Sequence, residues 1–304
     1  MSMQYIDSNK MFAVGEVFPP QAHYDRVQRY RVNKKLFEGY HADVFRDNTL
    51  GSNRVKDILY VSVNLAGIIC KKSADFLYGE ELKITAGKED HKAQEALDRF
   101  YEDNHLNILL YESALSNAYS GDAFIKVRYG QEYAGELPPE LDAPKVLIEA
   151  LSPANVFPDT VTWDKSKIKV FHVTNVHYCN DKKLWYLNVE SHVAGAIYYH
   201  SYTVTPLYHD LDMTPIRFSI DGVVEDSFKV VYTGVKAPLV IHIPNLSTSE
   251  DWAGLDDLTE LHPLFDEINN RISQIADILD KHSNPALAVP SGLLSEDEDG
   301  NAQF

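Results

Sequence analysis

Apolar residues change their spacing sharply along this chain at Gly121. Before it they recur every three or four residues, the period of a helix; after it they recur at every second residue, the period of a strand. Helices and strands segregated in this way do not build βαβ units, so a doubly wound nucleotide-binding sheet is excluded. The expected class is α+β: a helical N-terminal part, an antiparallel β meander, then a long heptad-patterned helix.

Three helices are predicted ahead of Gly121. The first runs from Ser52 to Tyr78, with Val55, Leu59, Val63, Ala66, Ile69 and Ser73 at helical spacing. Gly51-Ser52 supplies a capping hydroxyl and Gly79 a terminator. The second spans His91 to Glu102, and the third Leu106 to Ser120. Beyond Gly121, strands are predicted at 123–129, 146–151, 168–178, 183–190, 196–204, 228–233 and 239–243, with Asn180-Asp181-Lys182 as a hairpin connection. Asp221-Gly222 reads as a turn dipeptide.

From Leu258 the pattern is helical again. Leu258, Leu261, Phe265, Ile268, Ile272, Ile275 and Leu279 follow alternating steps of three and four, a 3.5-residue repeat. Pro263 lacks an amide donor, so a short first helix ends there and the main helix restarts, to be stopped by Asn284-Pro285. The stripe is either an oligomer seam or an intramolecular packing face. The chain continues through an apolar piece, Ala286 to Pro290, into an acidic tail, Ser295 to Gly300.

Charge narrows the function. A net charge of −17 over 304 residues argues against a broad basic face for nucleic acid. The basic and aromatic stretch from His23 to Lys35 is the exception, and Arg26, Arg29, Arg31, Lys34 and Lys35 are the candidates for phosphate contact; the other reading is a solvated surface helix or loop. Pro19-Pro20 breaks any helix before it. No basic segment followed by an apolar run opens the chain, and no stretch reaches the ~18 apolar residues that span a bilayer, so neither secretion nor membrane insertion is expected. Cys70 and Cys179 read as free buried thiols of a reducing compartment.

Signs of chemistry are sparse. GxxxxGK[ST], GxGxxG, HExxH, CxxC and GxSxG are all missing, so no catalytic residue, metal or cofactor is expected. His209, Asp210 and Asp212 form the best small hard-metal cluster, in a stretch that reads first as a solvated loop. Ser295, Asp297, Asp299 and Gly300 resemble half of a calcium loop, but its twelfth position would fall beyond Phe304.

Three segments, in this order and spacing, resemble the portal proteins of long-tailed bacteriophages. The first is Val63 to Thr85, with its turn Phe76-Leu77-Tyr78-Gly79-Glu80 before a short strand. The second is Ala114 to Pro158, with Tyr119-Ser120-Gly121-Asp122-Ala123 and Leu151-Ser152-Pro153-Ala154-Asn155. The third is Asp251 to Pro290, with Gly254-Leu255-Asp256-Asp257-Leu258, Leu264-Phe265-Asp266-Glu267-Ile268-Asn269 and Asp280-Lys281-His282-Ser283-Asn284-Pro285.

The resemblance implies a structural subunit of a homo-oligomeric ring, usually of twelve, at one capsid vertex of the virion, assembled in the host cytoplasm. Double-stranded DNA would pass through its channel without specific binding. The partners implied are terminase, the major capsid or scaffold protein, and neck or adaptor proteins. Residues 1–50 would be an N-terminal arm, 51–254 a wing-like α+β domain, 255–284 a stem-like helix and 285–304 the start of a clip-like segment. Family members continue through a second stem helix, a tunnel loop and a crown, so by the resemblance this sequence would correspond to an N-terminal portion. The competing readings are another head-completion or adaptor protein, and a hydrolase with an unrecognised site.

Overall fold

The fold is described from a computed structural model that covers residues 11–46, 60–87, 91–133, 137–138, 140–209, 215–283, 295–296 and 302–303. In chain order the elements are β1 (Val17–Phe18), α1 (Tyr24–Glu38), α2 (His41–Phe45), α3 (Leu65–Tyr78), α4 (His91–Asp103), α5 (Leu106–Ser120), β2 (Asp122–Gly130), β3 (Lys145–Leu151), β4 (Val156–Val161), β5 (Asp164–Cys179), β6 (Leu184–Val193), β7 (Ala196–His209), β8 (Pro215–Val223), β9 (Lys229–Tyr232), β10 (Val240–Pro244), α6 (His262–Ser283), β11 (Ser295–Glu296) and β12 (Ala302–Gln303). The protein is α+β, with helices first and antiparallel strands after them. It divides into two compact units, one of residues 1–40 and 64–262, the other of residues 41–63 and 263–304.

The first unit carries two sheets. One is a seven-stranded antiparallel sheet in the order β1-β8-β7-β6-β5-β4, with β9 also paired to β7; the other is three-stranded, β10-β2-β3. The long strands β5, β6 and β7 alternate inward apolar and outward polar residues. Leu187, Val189, Tyr202, Val204, Phe218 and Ile220 therefore collect on one face with Phe12, Phe18, Val27 and Phe157. Burying each such side chain is worth about 1.5–3 kcal/mol. A second cluster, Phe124, Val156, Phe171, Val173, Val240 and Trp252, draws on strands of both sheets.

Several boundaries differ from those read in the sequence. The helix expected from Ser52 begins only at Leu65. Residues 60–64 are not helical, and 52–59 lie outside the described residues. Asn64 supplies the cap, accepting from the Gly67 amide at 2.8 Å while its own amide donates to the Phe37 carbonyl at 3.0 Å. Gly67 suits this crossing, because a Cβ there would lie 2.8 Å from the Phe37 oxygen.

Asp221-Gly222 is not a turn but part of β8, with Gly222 opposite Thr203. β4 was not expected as a strand, since Pro158 interrupts its pattern, yet it pairs with β5 through Val156–Val173 and Phe157–His172. Leu106–Ser120 forms as expected, and Gly121 ends it in the left-handed region at φ 85°.

The stretch read as a basic arm, or else as a solvated surface helix or loop, is the helix α1, and it is not solvated all round. Val27, Tyr30, Asn33 and Leu36 bury one face at steps of three, and Gly39 closes the helix at φ 94°.

In the second unit the long helix α6 starts at His262, one residue before Pro263. Its buried face is Phe265, Asn269, Asn270 and Ser273, largely polar. Asn269 accepts from the Val63 amide at 3.0 Å, donates to the Tyr60 hydroxyl at 3.1 Å and lies 3.1 Å from His41 Nδ1. Ser273 Oγ accepts from the Val61 amide at 2.8 Å. Side chains thus do for residues 60–63 what a neighbouring strand would otherwise do, because buried amides need acceptors.

Candidate functional site

The densest polar cluster of the first unit is built around Asp122, at the start of β2 directly after the left-handed Gly121. The side chain is 0% exposed. Its Oδ2 accepts from the Tyr30 hydroxyl of α1. Its Oδ1 accepts from the Gly254 amide at 2.9 Å and lies 2.7 Å from His242 Nε2 on β10. One carboxylate therefore ties together α1, both partners of a strand pair and the loop before α6. Burial and the neighbouring Asp122 carboxylate push the Tyr30 hydroxyl well above its ordinary range.

The loop that carries Gly254 continues the cluster. Asp256 accepts from the Leu258 amide at 3.0 Å, the Thr259 amide at 2.6 Å and the Thr259 hydroxyl at 2.8 Å, and pairs with Arg29 Nε at 3.5 Å. Asp257 accepts from Ser73 of α3 at 3.0 Å and from Asn245 at 2.8 Å, and its amide donates to the Ala118 carbonyl at 2.9 Å. Gly121 and Gly254 stand back to back: a Cβ on Gly254 would lie 2.0 Å from the Gly121 oxygen. Ser73, Gly121-Asp122 and Gly254 to Asp257 belong to the three separate segments singled out in the sequence, and they meet at this point.

Arg26 lies on the same helix face. Its guanidinium donates to the carbonyls of Pro153 at 3.0 Å and Val156 at 2.9 Å, and stacks 5.0 Å from the Trp252 ring and 5.1 Å from Tyr30. His23 packs edge-on against Phe157, and burial, with Arg26 and His172 nearby, lowers its pKa to about 4. His172, on β5, hydrogen-bonds Ser191 at 2.8 Å and is likewise lowered to about 4, chiefly by burial. Cys70 is buried on α3, and burial, with Asp257 and Asp256 adding to it, pushes its thiol up to about 12. Every polar atom of the Asp122 carboxylate is engaged and shut off from water, so the cluster acts as a mechanical joint between segments.

The residues singled out in the sequence fall as follows. Of the five basic residues, Arg26 and Arg29 are engaged within the Asp122 cluster, and Arg31 reaches the Ile216 carbonyl at 3.4 Å. Lys34 is exposed, 3.8 Å from Glu38, and Lys35 is half-buried. Of the heptad stripe, Leu258 and Phe265 are buried and Leu261, Ile268 and Ile272 half-buried, while Ile275 is 56% and Leu279 63% exposed. Asp210 and Asp212 lie outside the described residues, and His209 is described only as the last residue of β7. Among the described residues no group of three metal-binding side chains assembles, and no helix is long and apolar enough to cross a membrane. Asn33, His242, Trp252 and Asn269 were not singled out. The one available signal was polar residues at core positions of apolar helices, as at Asn33 and Asn269.

No curated protein matches the chain. The family model for the phage portal protein, SPP1 Gp6-like, matches residues 20–303. Proteins of that kind are structural, are part of the virion at the capsid vertex, and serve DNA packaging. The joint at Asp122 lies within the matched span, which takes in most of both units, and the chain belongs to the SPP1 Gp6-like family of phage portal proteins.

Proposed function

We propose that this chain is a wall subunit of a ring, of about twelve copies as in its family, through which double-stranded DNA is packaged and ejected. The observation that carries the reading is the family match across residues 20–303. In this reading terminase docks on the ring during packaging and neck or adaptor proteins replace it. The major capsid or scaffold protein surrounds the ring, and assembly takes place in the host cytoplasm. The chain does no chemistry of its own; the cluster at Asp122 stiffens the subunit against the load of moving DNA.

Charge supports the role. At −17 the subunit repels the phosphate backbone, so DNA slides past instead of being held by released counterions. Residual phosphate contact runs through the exposed end of α1 at Lys34, since Arg26, Arg29 and Arg31 are tied into the fold. The exposed half of the α6 stripe, Ile275 and Leu279, packs against a neighbouring copy as a stem helix would. Residues 51–254 supply the wing and residues 285–304 open the clip.

Negative-stain micrographs of the purified protein test the proposal. Closed rings with a central channel are expected. A protein that stays monomeric across a hundredfold range of concentration, or shows metal-dependent turnover of ATP or DNA, would contradict it.

A further inference from the structure

Residues 11–18 lie along the edge of the seven-stranded sheet as a strap held by few bonds. β1 pairs with β8 over two residues, Val17 with Ser219 and Phe18 with Phe218. Beside that pair the Gly15 amide donates to the Ile220 carbonyl at 2.8 Å, and the Ile220 amide to the Glu16 carbonyl at 2.9 Å. Val14, Gly15 and Glu16 are exposed. The anchors are two buried aromatic rings: Phe12 packs against Phe157, and Phe18 against Phe157 and Phe218. Segments with so few buried contacts open locally before the sheet they rest on.

One anchor lies on a titratable ring. Phe12 meets His172 of β5 edge-on, with centroids 5.5 Å apart. His172 is buried, and its Nδ1 is bonded to Ser191 of β6 at 2.8 Å. Asp159 of β4 favours a charged ring, whereas Lys169 on the same strand, His192 of β6 and His200 of β7 oppose one. Asp159 is itself held by Lys169 at 2.9 Å, so burial decides and keeps the ring neutral. His23, just ahead of α1, is close enough for the two rings to repel once charged, and Arg26 stands beside it. The strap's one charged residue, Glu16, is exposed.

We infer that residues 11–18 are an acid-released strap: protonation of His172 lifts Phe12 and β1 off the sheet while the sheet stays folded. Neutral, the ring packs under Phe12 as an aromatic; charged, it needs water, and the way to water is the seat that Phe12 vacates. The coupling runs in both directions. A ring that titrates at about 4 under the strap and near its ordinary 6.5 without it favours opening by roughly 30-fold at about pH 5, relative to neutral pH. His23 adds to this in the same direction. Opening bares the edge of β8 from Phe218 to Ile220 and the aromatic seat beneath it.

Hydrogen exchange of the full chain at about pH 7.5 and about pH 5, each rate divided by the intrinsic rate at that pH, tests the inference. The Gly15 and Ile220 amides report the strap, and those of the interior strand β6 report the sheet. The strap amides should be less protected than β6 at both pH values and should lose about 30-fold in protection on acidification. His172→Gln should remove most of that loss. Phe12→Ala should expose the strap amides at both pH values with β6 still protected, and should shrink the pH effect, because His172 is then already open to water. Three results overturn the inference: strap amides as well protected as β6, which makes their opening global unfolding; strap protection that does not change with pH; or an equal loss in His172→Gln.

Discussion

Tyr30 on α1 donates its hydroxyl to Asp122, 92 residues later, and both side chains are buried. The pair fixes α1 against β2 and places the residue that also receives the Gly254 amide. Asp122→Ala leaves the Tyr30 hydroxyl and the Gly254 amide without an acceptor. Each orphaned buried group costs about 1–3 kcal/mol, so the expected loss is roughly 2–6 kcal/mol, and Tyr30→Phe should cost less. Urea unfolding of both variants checks the order; equal midpoints would show that Asp122 is not the hub.

Gly254→Ala should fail to accumulate as folded protein, because its Cβ would sit 2.0 Å from the Gly121 oxygen and 2.8 Å from the Asn245 amide. Gly15→Ala meets nothing within 4 Å, but its φ of +89° is unfavourable for alanine. There the cost should be about 1–2 kcal/mol. Soluble yield and thermal midpoint separate the two.

His23 and His172 are held neutral by burial, each at about 4 against 6.5 in the unfolded chain. Between those values the unfolded chain binds protons that the folded one refuses, so stability falls as pH drops from about 6.5 towards 4. Above 6.5 these residues make stability independent of pH. Thermal melts across this window should show the decline, and His172→Gln should flatten it. A variant with an unchanged slope would remove His172 from the account.

On α6, polar and apolar residues have opposite expected effects. Asn269→Ala removes the acceptor of the Val63 amide and should cost about 1–3 kcal/mol of stability. Ile275→Asp changes an exposed residue and should leave the circular dichroism intact while abolishing rings. Half-buried Ile272→Asp should lose rings and some stability together, and Asp277→Ala should lose neither. Light scattering with thermal melts decides among them; rings in Ile275→Asp would contradict the packing assigned to the stripe.

Free double-stranded DNA should bind no more tightly than ~10⁻⁴ M at physiological salt. Lys34→Glu should weaken even that in a gel shift, and tight sequence-dependent binding would point to a regulator instead.

Much of the fold was legible because local period and local structure agree. The switch at Gly121, the helix Leu106–Ser120 and the strands β3, β5, β6 and β7 follow directly from spacing. What escaped was written in polar residues. α1 read as a phosphate-touching arm or as a solvated helix or loop, yet the Arg26 guanidinium lies against Trp252 and caps two carbonyls. β8 was obscured by Asp221-Gly222, which the pairing with β7 holds extended. On α6 the apolar repeat supplies only Phe265 to the buried face: Asn269 and Ser273 join it through bonds to residues more than 200 positions away that no local pattern announces. Asp122 was visible only as part of a motif, because its partners come from α1, β10 and the Gly254 loop.

The pairing of β1 with β8, Val17 opposite Ser219 and Phe18 opposite Phe218, sets an order of events during synthesis. The ribosome makes the first strand about 200 residues before its partner, and at about 5–20 residues per second the wait lasts tens of seconds. Throughout it, Phe12 and Phe18, later sealed in the core, stay open to solvent or to chaperones. Two aromatic residues made early are thus among the last to find their seats, and the segment that carries them works as a latch that shuts only once the meander is complete.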